Sequence, residues 1–357
     1  MVIYFIIYLI FFAFTLGDLF LSRESKRPLL VPLILLGIMM IIFAGLRWET
    51  GTDWPNYLRY FRIIDKLELG KTQMEKGYEL IVRIYKFTFG SNYTGFLFFN
   101  ATILILITYL SVYRSSPYPI FSLFLLLSYS VVGSSFGVRQ DLSICLILFS
   151  FTFIRDRALV KFIICVFLAT LIHNSAVIFF PAYYLYNLKW NVLTAIFFLL
   201  VVASGFYWSS SIMQIFGGMI SERKAEFYLE LGMDNAEESG TSLVKGLAGR
   251  ILFLVTLIPF VNYSENGDKV FNGLFNLYVF SIILYAIFTP VGAVFSRLAR
   301  PYEIFQILAI PFAYYGTNRF YKVALLVIIF TFSIYKFSSA IRNDPGILVP
   351  YKTIFTA

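Results

Sequence analysis

The sequence has 357 residues, of which 59% are hydrophobic and only 14% are charged, and its mean hydropathy is +0.78. This composition excludes an ordinary soluble domain and predicts an integral membrane protein with many spans. The formal net charge is +9, but the basic residues stand singly or in small groups between apolar runs, which argues against nucleic acid as a partner and favours membrane lipid or phosphate.

Apolar runs long enough to cross about 30 Å of hydrocarbon recur along the whole chain. They predict an all-α polytopic membrane protein with a single transmembrane domain over residues 1–357 and about 12 spans, within a range of about 10 to 14. The segment KGYELIVRIYKFTFG is too short and too charged to cross alone, so we expect a short interfacial or re-entrant helix there. The spans are expected at residues 2–20, 29–46, 94–113, 117–133, 137–154, 159–173, 175–187, 191–208, 245–263, 270–288, 299–316 and 322–339.

Lysine and arginine residues in the short loops predict which side of the membrane faces the cytoplasm. The basic loops SRESKRP, IRDRALVK and TNRFYK lie on one side when the spans are counted in this way. Both termini and two larger loops, residues 47–76 and 209–243, are then expected to face away from the cytoplasm. The second loop is amphipathic at its start and acidic later, which fits either a lid over a site or a plain solvated loop.

The first polar motif, RWETGTDWPNYLRYF, follows the second predicted span. Arg47 could bind a phosphate with two parallel hydrogen bonds, and Gly51 allows a tight turn. Asp53 could orient an arginine or take a proton, and Tyr57 offers a flat face for stacking on a sugar. A snorkelling arginine beside an aromatic belt is the alternative interpretation.

The second motif, FGVRQDLSICL, opens another predicted span. Arg139 lies at the N-terminal end of this helix, where the helix dipole also favours an anion. Gln140 is expected to contact the same substrate. An interfacial ion pair between Arg139 and Asp141 is the alternative.

The third motif, ATLIHNSAVIFFP, contains His173, the only histidine in the sequence. A neutral imidazole at this boundary between two apolar runs could accept a hydroxyl proton near neutral pH. A histidine hydrogen-bonded to a neighbouring helix is the plainer alternative. Because no second histidine and no nearby cysteine accompany it, we expect neither zinc nor any other cofactor. Cys145 and Cys165 fall inside predicted spans and are expected only to pack there.

The fourth motif, FSRLARPYEIF, brings two arginines to the start of a later span. Arg297 and Arg300 are three residues apart, so they share one helical face or turn. Two guanidinium groups at this point suit a diphosphate, and Tyr302 and Glu303 could orient them.

The four motifs are distant in sequence but are all expected on the same face of the membrane. Three of them contribute arginine, and a charge near the bilayer is costly unless it is paired or engaged. Their shared target is therefore expected to be a large anionic headgroup that carries an acyl or prenyl tail.

These segments also give the chain a resemblance to the EpsG family, a group similar to Wzy-type O-antigen and exopolysaccharide polymerases. The resemblance extends roughly from Gly45 to Gly316 and rests on RWETGTDWPNYLRYF, KGYELIVRIY, FGVRQDLSICLILFSF, LIHNSAVIFFP and SRLARPYEIF. The site positions that it carries over are Arg47, Asp53, Arg139, Gln140, His173 and Arg300.

The resemblance implies a metal-independent glycosyltransferase of the bacterial inner membrane. This enzyme would transfer a growing glycan from undecaprenyl diphosphate to an incoming undecaprenyl-diphosphate-linked repeat unit on the extracytoplasmic face. A chain-length regulator and a flippase are the partner proteins that it implies.

In such a reaction the arginines would stabilise the negative charge that develops on the leaving diphosphate. The acceptor hydroxyl must lose a proton, and we expect His173 as the first candidate base and Asp53 as the second. A flippase or exporter would line a path through the whole bilayer with polar residues, and a membrane acyltransferase would need a polar cluster on the cytoplasmic side. A ligase that uses the same donor with another acceptor is the alternative that the sequence separates least well.

Overall fold

The structure is a computed structural model in which two compact units can be distinguished. Unit 1 consists of Met1–His173 and Asn318–Ala357, and unit 2 consists of Asn174–Thr317. The residues that the structure describes are 1–20, 26–51, 53–72, 74–130, 135–189, 193–194, 196–201, 203–204, 236–261, 269–289, 293–343 and 348–356.

The described part of the chain is built from α-helices joined by short 3₁₀ segments. Unit 1 contributes α1 (Val2–Phe20), α2 (Leu30–Gly45), α3 (Trp54–Ile63), α4 (Lys76–Phe89), α5 (Tyr93–Ser115), α6 (Pro119–Tyr129), α7 (Arg139–Arg155) and α8 (Leu159–Ile172). Unit 2 contributes α9 (Ala236–Leu257), α10 (Lys269–Phe288) and α11 (Gln306–Tyr315), and unit 1 resumes with α12 (Arg319–Asn343). The 3₁₀ segments are Arg27–Leu29, Ile64–Lys66, Asn174–Phe179, Ile258–Phe260 and Ala293–Ala299.

Several described helices are long and apolar enough to cross a membrane. They are Val2–Phe20, Arg27–Gly45, Tyr93–Ser115, Leu243–Phe260, Lys269–Phe288 and Arg319–Arg342. Two shorter apolar helices, Pro119–Tyr129 and Leu159–Ile172, accompany them. These lengths support a polytopic membrane protein, while the number of about 12 spans stays a prediction.

Two of the predicted spans are not continuous helices. The predicted span 175–187 is divided into a 3₁₀ segment and a single helical turn, Ala182–Leu185, and Pro181, which has no backbone N–H, lies between them. The predicted span 299–316 is likewise divided into the turn Arg300–Glu303 and α11.

Two further predictions lie partly outside the described residues, namely the span at residues 191–208 and the loop at residues 209–243. Helix α9 begins at Ala236, and its apolar part that is long enough to cross a membrane is Leu243–Phe260, so the predicted end of the loop stays a prediction.

Contacts made by α1 show which helix ends of unit 1 lie together. Near the start of α1, the Tyr4 ring packs edge-on against Phe43 of α2, with centroids 5.6 Å apart, and against Phe136 at 6.4 Å. Near the other end, the Asp18 carboxylate accepts the Ile120 amide at 2.8 Å and so caps the start of α6. We call the end of unit 1 that contains Tyr4 and Phe43 the motif end. Its assignment to the outer face of the membrane stays a prediction.

The predicted short helix between the second and third spans is present as α4, which packs against α5 and α8. One side of α4 buries Tyr78, Val82 and Tyr85. A second apolar face remains exposed, and its residues are Leu80, Ile84 and Phe87. Such a face is what an interfacial helix presents to lipid, although that location is still a prediction.

Candidate active site

A carboxylate, an arginine and a histidine from three distant segments meet at the motif end. The Glu75 Oε2 atom accepts a hydrogen bond from Arg139 Nη1 at 2.6 Å, and Glu75 Oε1 lies 2.9 Å from His173 Nδ1. Glu75 directly precedes α4, Arg139 is the first residue of α7, and His173 directly follows α8. The three side chains are 12%, 21% and 25% exposed, so the group is mostly shielded but still reachable. With Tyr57, they form what we call the Glu75 cluster.

Tyr57 joins the cluster from α3. Its hydroxyl accepts a hydrogen bond from Arg139 Nε at 3.0 Å, and the Arg139 guanidinium lies over the tyrosine ring, 5.5 Å from its centroid. Pro55 at the start of α3 favours a helix beginning here. The structure therefore brings together Tyr57, Arg139 and His173, which come from three different predicted motifs.

Gly77 allows the start of α4 to approach the end of α8 closely. A Cβ atom at this position would lie 2.6 Å from the Leu171 carbonyl oxygen, so a larger residue would push the two helices apart. Gly77 is two residues after Glu75, and Leu171 is two residues before His173. The close approach therefore brings the carboxylate within hydrogen-bond distance of the imidazole.

A second, fully buried carboxylate holds the turn that leads into α4. Glu79 accepts hydrogen bonds from the Thr72 hydroxyl at 2.9 Å, the Gly70 amide at 3.2 Å and Arg83 Nε at 2.9 Å. Arg83 also donates to the Leu67 carbonyl at 2.6 Å. These bonds fix residues 67–72 against the first turns of α4, and they thereby constrain the position of Glu75 just before the helix.

The electrostatics of the cluster keep Glu75 ionised. Burial alone would raise the pKa of the Glu75 carboxyl, but the hydrogen bond from His173 and the positive charge of Arg139 outweigh it and lower this pKa to about 2. Burial raises the pKa of the Tyr57 phenol, against the opposing effect of Arg139. At neutral pH the cluster therefore contains a carboxylate anion and a neutral phenol.

This arrangement can transfer a proton. A hydrogen bond between Glu75 and Nδ1 of His173 favours the tautomer with its proton on Nδ1, which leaves the lone pair on Nε2. Among the described residues no group hydrogen-bonds Nε2, so this nitrogen can accept a proton from a substrate hydroxyl. The carboxylate would then stabilise the imidazolium that forms.

Arg139 is already engaged as an ion-pair partner of Glu75. Its Nε and Nη1 atoms are used by Tyr57 and Glu75. The structure thus gives Arg139 a role that the sequence did not indicate, which is to orient the carboxylate. Its predicted contact with a phosphate stays a prediction.

Asp53 and Gln140 lie next to the cluster in sequence. Asp53 precedes α3, its side chain is exposed, and its negative charge contributes to the raised pKa of Tyr57. Gln140 is the second residue of α7 and is partly buried. Asp53 is therefore close enough to influence the cluster electrostatically, and the proposed substrate contacts of both residues stay predictions.

Arg47 is buried at the motif end, with only 4% of its surface exposed. Its Nη1 atom donates to the Ser135 carbonyl at 3.4 Å, and the guanidinium lies over the Phe136 ring, 5.2 Å from the centroid. Burial lowers the pKa of Arg47 to about 10, so the side chain remains charged at neutral pH. The tight turn predicted after Arg47 is present, because Gly51 has a φ of 113°.

The remaining predicted site residues belong to unit 2. Glu303 forms an ion pair with Arg250 Nη2 at 2.6 Å, rather than one of the two arginines that it was expected to orient. Tyr302 is fully buried, and its hydroxyl donates to the Ile178 carbonyl at 2.9 Å. Arg297 is exposed and Arg300 partly buried, and their proposed contact with a diphosphate stays a prediction.

Sequence reasoning missed two residues, Glu75 and Arg250. Glu75 stands directly before the amphipathic segment, and this single acid at a predicted helix start was the available signal. Arg250 lies within an apolar run that was predicted to span the membrane, and an ionisable residue inside a span is by itself a reason for attention.

Comparison with known proteins gives one match. The model of the EpsG family matches residues 30–353, which is nearly the whole chain. No curated protein and no solved structure matches the sequence.

Proposed function

The chain belongs to the EpsG family, a Wzy-like polymerase family, and from this premise we propose that it polymerises lipid-linked repeat units on the outer face of a bacterial inner membrane. The donor in this proposal is a growing glycan on undecaprenyl diphosphate. The acceptor is the nonreducing sugar of an incoming undecaprenyl-diphosphate-linked unit. The product is a glycan one repeat longer, and undecaprenyl diphosphate is released.

The observation that carries the proposal for the chemistry is the contact of Glu75 with both Arg139 and His173. In the proposed step, the acceptor hydroxyl oxygen forms a bond to the anomeric carbon of the donor while the bond from that carbon to the diphosphate oxygen breaks. The hydroxyl proton moves to His173 Nε2, and the bonding electrons leave with the diphosphate. Base assistance of this kind contributes about 100-fold to 10,000-fold in rate.

Each side chain of the cluster has a distinct task in this proposal. Glu75 holds the imidazole in the tautomer that can accept a proton, and Arg139 keeps Glu75 ionised and in place. Tyr57 fixes the Arg139 guanidinium from the other side. His173 is the catalytic base, while Arg139 and Tyr57 act as positioning residues.

The experiment is incubation of the purified full-length protein with a defined lipid-diphosphate repeat unit in lipid nanodiscs, followed by separation of the products by size. A ladder of products that differ by one repeat supports a polymerase. A single transfer to a different acceptor supports a ligase instead. Movement of the unchanged substrate across a vesicle membrane without new glycosidic bonds supports a flippase and contradicts the proposal.

A further inference from the structure

Arg47 is a buried cation without a carboxylate partner among the described residues. Among the described residues its side chain makes one hydrogen bond, the long one to the Ser135 carbonyl at 3.4 Å, and its Nε atom is buried without an acceptor in the same part of the chain. A buried charge that lacks full pairing is costly to folding. The side chain therefore has unused capacity to donate hydrogen bonds to an anion.

The backbone of the same arginine pairs with a segment that is distant in the sequence. Residues 348–356, which we call the C-terminal strap, run antiparallel to residues 46–48, and Arg47 pairs with Thr353. The Trp48 amide donates to the Lys352 carbonyl at 2.9 Å, and the Ile354 amide donates to the Leu46 carbonyl at 3.0 Å. The strap thus lies against the backbone of Arg47 at the motif end.

An aromatic stack holds the strap in this position. The Tyr351 ring stacks on Phe43, with centroids 4.7 Å apart, and on Phe136 at 6.2 Å. Phe136 is also the ring that lies under the Arg47 guanidinium. The stack therefore joins Tyr351 of the strap to Phe136, the ring that contacts the Arg47 guanidinium.

The strap is anchored at its start, because Leu348 is fully buried and its carbonyl accepts a hydrogen bond from the Tyr4 hydroxyl at 2.7 Å. Its later part, residues 352–354, is attached less firmly. Two backbone hydrogen bonds join this part to residues 46–48, and the ion pair between Lys352 and Glu49 is about half exposed. Exposed ion pairs contribute little to stability. A short strand held in this way can separate from its partner without unfolding the helices around it.

We propose that Arg47 is a binding site for a phosphate of the lipid-linked substrate, and that the C-terminal strap must leave residues 46–48 for this phosphate to bind. The proposal deepens the proposed function and rests on it for the identity of the ligand. With the strap in place, Arg47 is only 4% exposed and its Nε has no acceptor among the described residues. With the strap displaced, a phosphate oxygen supplies the missing acceptor and neutralises the charge.

A disulfide that locks the strap tests this proposal. Leu46 and Ile354 flank the paired residues Arg47 and Thr353 and share a backbone hydrogen bond. The double substitution Leu46→Cys with Ile354→Cys can therefore cross-link the two segments, while Arg47 itself is unchanged. The matched control is Leu46→Cys alone, which cannot form the cross-link. The native Cys145 and Cys165 are buried and occur in both proteins.

Binding of undecaprenyl diphosphate to the protein in nanodiscs is measured before and after reduction, with inorganic pyrophosphate and phosphatidylglycerol as separate probes. The expected result is that the oxidised double variant binds undecaprenyl diphosphate at least tenfold more weakly than the same sample after reduction. Full binding by the oxidised, cross-linked protein would overturn the proposal. Equal binding of phosphatidylglycerol and undecaprenyl diphosphate at Arg47 would overturn the assignment to the substrate.

The binding measurement does not depend on polymer formation. If the double variant binds undecaprenyl diphosphate more tightly after reduction but the wild-type protein makes no ladder, the proposed polymerase reaction fails and the strap proposal stands. If the ladder forms equally well in the oxidised and reduced double variant, the polymerase stands and the strap proposal fails.

Discussion

The two units contain the same kind of ion pair in different surroundings. Arg139 and Glu75 in unit 1 are 2.6 Å apart, and Arg250 and Glu303 in unit 2 are also 2.6 Å apart. In unit 1 the second carboxylate oxygen lies 2.9 Å from Nδ1 of the His173 imidazole.

In unit 2 the arginine of the pair contacts an aromatic ring and a backbone carbonyl. The Arg250 guanidinium lies 3.6 Å from the centroid of the Tyr285 ring and donates to the Gly246 carbonyl at 3.1 Å. An arginine and a carboxylate thus do not by themselves define a reactive site. We therefore propose proton transfer beside the first pair and a stabilising role for the second.

The largest effect is expected from removing the imidazole. His173→Ala should lower the rate of polymerisation by about 100-fold to 10,000-fold, because the acceptor hydroxyl loses its base. The rate is measured from ladder formation by purified protein at equal concentration. Lys71→Ala is the control, since Lys71 lies in the loop before α4 and its side chain forms an exposed ion pair with Glu68. A His173→Ala enzyme as active as this control would remove His173 from the mechanism.

A smaller loss is expected from loosening the turn before α4. Glu79→Gln removes the charge that pairs with Arg83, so Glu75 is held less firmly beside His173. Misplacement of a catalytic group by about 1 Å costs about 100-fold, and we expect a decrease of about 10-fold to 100-fold in the polymerisation rate. The pH dependence of that rate should also change, because the His173 tautomer is less well defined. An unchanged pH profile together with reduced thermal stability would give Glu79 a purely structural role.

The low pKa of Glu75 predicts that the folded protein becomes less stable as the pH falls. Because folding lowers this pKa from 4.5 to about 2, the carboxylate contributes stability that is fully present above about pH 4.5. This contribution is lost as the pH falls toward 2. Thermal unfolding of the protein in detergent should therefore show a melting temperature that decreases over this range. In Glu75→Gln the decrease should be smaller, and an identical decrease in both proteins would show that other groups cause it.

The smallest effect is expected from Asp53. Because this carboxylate is exposed and influences Tyr57 only through its charge, Asp53→Asn should change the polymerisation rate by less than about fivefold, in keeping with the small energies of exposed charges. The same ladder assay measures it. If Asp53→Asn abolished the reaction while His173→Ala retained it, the order of the two candidate bases would be reversed.

Three helices of unit 1, α1, α2 and α5, follow directly from the sequence because their apolar runs have the length of a membrane crossing. The predictions of α1, α2 and α5 agree with the structure to within about two residues, the usual uncertainty of helix ends. The short length of the runs between residues 159 and 187 indicated tilted or partly broken spans there, but an apolar run does not indicate at which residue its helix breaks.

The site could be predicted only in part because it depends on contacts between distant segments. His173, Arg139 and Tyr57 were predicted from their residue types at the ends of apolar runs. Glu75 was missed because its partners are 64 and 98 residues away, and no local pattern marks such contacts. The pairing of Arg47 with Thr353 was not predicted for the same reason, because the two residues are far apart in the sequence.

The most direct test of the account compares Glu75→Gln with Glu303→Gln in a single round of glycan transfer by purified, correctly folded protein. Glu75→Gln is expected to lower the rate by at least about 100-fold, because the base loses its orienting carboxylate. Glu303→Gln is expected to keep the rate and to lose stability on the order of 1 kcal/mol. Equal rates for the two variants, or a larger loss of rate in Glu303→Gln, would contradict the assignment of the chemistry to the Glu75 cluster.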